Sequence, residues 1–115
     1  MMLMLNRSAL VVMPKSPFLR WLHSVDPTSS DLGLNDLRED PTIYLLDEYD
    51  DDVIATALVE AAFADIFEEQ LAGWWQDESV WPDNRTFDMF CQWFEYRIHS
   101  MLIDLSGEPL ILEDA

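Results

Sequence analysis

Cys91, Glu95 and His99 follow one another at intervals of four, a spacing that aligns a thiol, a carboxylate and an imidazole along one helix stripe. These are the groups of nucleophilic catalysis, and the segment around them reads as helical. Distance defeats the full set, because a rise of 1.5 Å per residue puts Cys91 and His99 about 12 Å apart along the axis. Glu95 and His99 remain as neighbours, and an i, i+4 surface pair contributes only a few tenths of a kcal/mol. No catalytic residue is assigned.

Asp47, Glu48, Asp50, Asp51 and Asp52 place many oxygens in a short span, the ligand chemistry of calcium and magnesium. The run lacks the glycine and the closing glutamate of an EF-hand loop, and the same carboxylates suit the start of a helix, where they oppose the dipole. Gly33, Gly73 and Gly107 are the only glycines and stand far apart, which excludes a glycine-rich phosphate loop. Cys91 is the single cysteine, and His23 and His99 are distant in sequence, which argues against a structural zinc. The residues call for no metal and no cofactor.

The least ordinary stretch is Trp74, Trp75, Gln76, Asp77, Glu78, Ser79, Val80, Trp81 and Pro82, three indoles with two carboxylates. Aromatic faces beside acids hold quaternary ammonium groups, exposed tryptophans anchor protein interfaces, and buried ones simply close a core. Trp74, Trp75, Asp77, Glu78 and Trp81 are therefore the candidate contact patch. Ten aromatic residues lie between Phe63 and Tyr96, more than one side of a small core needs, and we expect part of that set to be shared with a second copy in a homodimer.

The elements that would position these residues follow from periodicity and punctuation. Ser8 to Met13 is an apolar, valine-rich run stopped by Pro14 and reads as a buried strand. Ser16 ahead of Pro17 caps a short helix over Phe18 to Val25. A second capped turn begins near Asn35 and ends before Pro41. Thr42 to Leu46 is a second strand. The acidic run opens a helix whose packed face holds Ile54, Leu58, Ala61, Ala62 and Ile66, and Gly73 ends it. Thr86 opens another, with Phe87, Phe90, Cys91, Phe94 and Ile98 as its buried stripe. Met101 to Leu105 is a third strand, turned through Ser106, Gly107, Glu108 and Pro109 into a fourth at Leu110 to Leu112. The order predicts one α+β domain over residues 1–115, a small three- or four-stranded sheet covered by helices mainly on one face. The first two strands are joined either by a βαβ crossover or as an antiparallel pair.

Charge limits the partners. The first 25 residues carry Arg7, Lys15 and Arg20 and no carboxylate, a charge of +3. All 23 acids lie beyond Val25 against Arg38, Arg85 and Arg97, and the chain totals −17. Such a surface repels the phosphates of nucleic acid and an anionic membrane, and draws in basic proteins. It also keeps a protein soluble without any partner. No apolar run approaches the roughly 20 residues of a membrane span, Arg7 interrupts the apolar start before it reaches signal-peptide length, and a lone cysteine fits a reducing, cytoplasmic setting. We expect an untargeted start, with Met4 an alternative first residue.

Asn6-Arg7-Ser8-Ala9, Pro14-Lys15-Ser16-Pro17-Phe18, Arg38-Glu39-Asp40-Pro41-Thr42-Ile43-Tyr44 and Asp77-Glu78-Ser79-Val80-Trp81-Pro82 together resemble short acidic hypothetical proteins of proteobacteria over most of the chain. The resemblance implies a bacterial, cytoplasmic origin and brings no activity. Three functions are weighed: a non-enzymatic interaction or regulatory protein acting through an acidic, Trp-rich surface, with a basic protein as partner; a DNA mimic that occupies a nucleic-acid-binding protein; and a small enzyme using carboxylates with His23 or His99, or a binder of cationic ligands. The first is favoured. A mimic needs acids set roughly 6–7 Å apart along one face, and an enzyme needs a pocket where such groups converge.

Overall fold

The computed structural model describes residues 2–115 and has a mixed α+β fold with two small antiparallel sheets. In chain order the elements are β1 (Leu3–Met4), β2 (Ser8–Pro14), α1 (Ser16–Val25), a 3₁₀ turn (Pro27–Ser29), α2 (Leu34–Leu37), β3 (Ile43–Leu46), α3 (Asp52–Trp74), a second 3₁₀ turn (Glu78–Val80), α4 (Phe87–Trp93), β4 (Phe94–His99) and β5 (Ile103–Asp104). β2 lies at the centre of the larger sheet, in the order β3-β2-β4, and both of its pairings are antiparallel.

The helix starts are set by local chemistry. α1 carries its proline in the first turn as expected, although Lys15 occupies the cap position and supplies no side-chain bond. In α2 the Asp36 carboxylate accepts from the Gly33 N–H at 2.8 Å. Asp51 accepts from the Ile54 N–H at 2.9 Å, so the acidic run does open α3. Thr86 accepts from the Met89 N–H at 3.1 Å and opens α4.

Four expectations are corrected. α3 buries Ala55, Val59, Ile66, Phe67, Gln70 and Leu71, while Ile54 and Ala61 are exposed. Apolar residues such as Val53, Ile54, Ala57, Ala61 and Ala64 are scattered among the exposed acids, so no single stripe stands out, and Phe67 and Leu71 are the residues seated in the core. Gly73 lies inside it; the helix runs to Trp74 and stops where Trp75 turns extended. The last helix ends at Trp93, because Phe94, Tyr96 and Ile98 alternate and pair with β2 as strand β4. Finally, Leu110 to Leu112 forms no strand. The Asp104 carboxylate takes the Ser106 N–H at 2.7 Å and the Ser106 hydroxyl takes the Glu108 N–H at 3.0 Å, local bonds that compete with strand pairing.

The core is aromatic. Phe18, Phe67, Phe90 and Phe94 are fully buried beside Leu10 and Val12 of β2. Phe94 sits 5.1 Å from Phe90, 5.2 Å from Phe67 and 5.4 Å from Phe18 between ring centres. Phe63, Phe87, Trp93 and Tyr96 extend the same network. The aromatic abundance is thus absorbed largely within one chain, and it gives no reason for a second copy.

β1 and β5 continue the β2–β4 ladder beyond an irregularity. Between the pairs Met4↔Ile103 and Ala9↔His99, four residues on one strand face three on the other, the one-residue excess of a β-bulge. The Leu5 N–H still bonds the Leu102 carbonyl at 2.8 Å. The radius of gyration, 15.9 Å, exceeds the roughly 13 Å of a compact chain of this length, and the extents are 48 × 32 × 25 Å.

Candidate protein-interaction surface

The Trp74–Trp81 segment divides into buried and exposed parts. Trp81 is half-buried against the core, its indole N–H donates to the Trp75 carbonyl at 2.8 Å, and the Arg85 guanidinium stands 5.9 Å from its ring. Trp75 also packs on the core. From α1, the Trp21 indole N–H donates to the Val80 carbonyl at 2.9 Å. Arg85 in turn pairs with Glu68 of α3 at 2.9 Å and donates to the Pro82 carbonyl. These bonds latch the loop onto α1 and α3. Trp74, 37% exposed, and the exposed Asp77 and Glu78 make up its outward side. The Ser79 hydroxyl and N–H both donate to Asp77 and hold its carboxyl below the usual range.

Cys91, Glu95 and His99 are not brought onto one stripe. Cys91 belongs to α4, whereas Glu95 and His99 stand on β4, where four residues of strand separate them by about 13 Å. Glu95 pairs with Arg38 at 3.8 Å. Burial pushes the Cys91 thiol up, Asp88 and Glu60 push the same way, and Lys15 only partly opposes them, so the thiolate is disfavoured. His23 is tied to the Leu32 carbonyl at 2.9 Å. Among the described residues no group of three His, Cys, Asp or Glu side chains could hold a metal ion. Nor is any helix among them long and apolar enough to cross a membrane.

Tyr44 of β3 donates to Glu69 of α3 and accepts from Gln70 at 2.9 Å, which fastens β3 to α3. Burial, then the Glu69 hydrogen bond, push its hydroxyl well above the ordinary tyrosine range. This bond fixes which way β3 faces. Tyr44 and Leu46 turn toward the core cluster, so Ile43 and Leu45 turn away and are 58% and 51% exposed. In register beside them lie Val11 and Ala9 of β2, followed by Arg97 and His99 of β4. Glu39 and Asp40 precede this strand, and Asp47, Glu48 and Asp50 follow it; all five are exposed. The outer edge of β3 pairs with no other strand among the described residues. An apolar, acid-flanked strand with free backbone groups is thus presented to solvent, a feature that β propensity alone did not single out.

No protein-family model matches the chain, and no curated protein or solved structure matches it either.

Proposed function

We propose that this chain is a non-enzymatic interaction protein of the bacterial cytoplasm that takes a basic protein partner on the outer side of β3. The carrying observation is Ile43 and Leu45, each more than half exposed on an unpaired edge strand with carboxylates at both ends. An extended segment added to β3 gains backbone hydrogen bonds, its apolar side chains cover Ile43 and Leu45, and its cations meet the flanking acids. Trp74, Asp77 and Glu78 form a second, smaller acidic and aromatic contact. Cys91 remains a half-buried thiol, in keeping with a reducing compartment.

The test is a pull-down from bacterial lysate with the wild type and with Ile43→Asn/Leu45→Asn, washed at low and then high salt. Both side chains are about half exposed, so each substitution costs about 1–2 kcal/mol, and an unchanged circular dichroism spectrum shows that the double variant is folded. The wild type retains a basic protein that high salt weakens, and the double variant retains at least roughly tenfold less of it. Equal retention contradicts the proposal and is the result expected of a DNA mimic, which holds its partner through carboxylates alone.

A further inference from the structure

The β1–β5 ribbon carries a second surface, which the basic-partner proposal leaves unused. Pairing places Met4 and Ile103 on one face, and Met2, Met101 and Leu105 flank them in the same alternation. All five are between 45% and 72% exposed, and none is ionisable, in a chain of net charge −17. On the opposite face Leu3, Leu5 and Asp104 line an open groove of about 430 Å³ with Ser106, Gly107, Glu108, Pro109 and Leu110 of the C-terminal segment. Leu110, Ile111 and Leu112 are 66% to 96% exposed.

We infer that this arm is a homodimer interface, its occupant the arm of a second copy. Area supports it. The exposed parts of Met2, Met4, Met101, Ile103 and Leu105 amount to roughly 600 Å² on one face, as large as the biggest patch of a typical monomer and at the lower end of what each partner of a specific complex contributes. Charge supports it independently. Among the described residues Arg38 and Arg85 form the ion pairs, whereas Arg7, Lys15, Arg20 and Arg97 form none. Arg7, next to the arm, bonds only its neighbouring Asn6 carbonyl through its side chain. An arm-to-arm contact sets each copy's acid-free first segment against the other's arm, whose Asp104 and Glu108 supply the opposing charge. A face without charge also lets two strongly acidic molecules meet where repulsion is least.

Sedimentation velocity from about 1 to 200 µM tests the interface. The wild type sediments as twice its 13.4 kDa chain mass. Met4→Lys/Ile103→Lys, which alters exposed positions only, weakens dimerisation by at least about 100-fold with an unchanged circular dichroism spectrum. Arg7→Glu weakens it about tenfold and reduces its dependence on salt. Ile43→Asn/Leu45→Asn leaves it intact, which separates this interface from the partner surface. A monomeric wild type throughout the range overturns the inference, as does a dimer that survives Met4→Lys/Ile103→Lys or is lost in Ile43→Asn/Leu45→Asn. Binding of a monomeric wild type to phosphatidylcholine vesicles also overturns it, by making lipid the occupant.

Discussion

Replacing Trp81 with alanine separates a latch from a contact residue. The indole is half-buried on the core, bonds the Trp75 carbonyl and lies beside Arg85, itself paired with Glu68. Removing roughly 100 Å² of buried apolar surface at about 25 cal/mol/Å² costs about 2.5 kcal/mol, and loss of the hydrogen bond adds about 0.5–1 kcal/mol. The total is about 3 kcal/mol. With an unfolding entropy of about 2.1 cal/mol/K per residue, that destabilisation lowers Tm by roughly 12 °C. Urea unfolding followed by circular dichroism gives the free energy, and a thermal scan gives Tm. Trp81→Phe keeps most of the packing and costs about 1 kcal/mol. A Trp81→Ala protein within about 0.5 kcal/mol of the wild type refutes the latch and returns Trp81 to the contact surface.

Two further outcomes follow from the same bonds. Tyr44, raised by burial, keeps its proton in the fold at pH values where the unfolded chain has lost it, so its contribution is complete below about pH 10 and declines as pH rises further. Urea midpoints between about pH 7 and 11 therefore fall at the alkaline end, and Tyr44→Phe makes the fall shallower; the raised Tyr96 and Cys91 sustain the remainder. An unchanged slope in Tyr44→Phe contradicts the assignment. Asp51→Ala removes the α3 cap and costs about 1 kcal/mol in urea unfolding, while Asp51→Asn, which can still accept the Ile54 N–H, costs less than half as much.

Elements fixed by local chemistry were legible in the sequence. Paired valines before Pro14 mark β2, Pro17 marks the first turn of α1, the acidic run from Asp47 to Asp52 marks the start of α3, and Thr86 that of α4. Elements settled by tertiary pairing were not. Phe94, Tyr96 and Ile98 satisfy a helical stripe and a strand alternation about equally over so short a span, and only β2 alongside decides for the strand. The rotation of α3 was hidden for a related reason, since its apolar residues are spread over several faces rather than one stripe. The tryptophan cluster was conspicuous by composition, yet the Trp81 indole turns in to the Trp75 carbonyl, and Trp21 of the distant α1 ties the segment down through the Val80 carbonyl. The exposed alternation of β3 depends on Tyr44 reaching Glu69 and Gln70, a contact across 25 and 26 residues that no local pattern displays.

Photo-crosslinking in cells examines the partner surface most directly, with a benzophenone-bearing amino acid placed at Leu45 or, as a control, at the exposed Glu60 of α3. A basic protein crosslinked from position 45 and absent from position 60 is the result the proposal predicts. Equal crosslinking from both positions, or none from position 45, contradicts it.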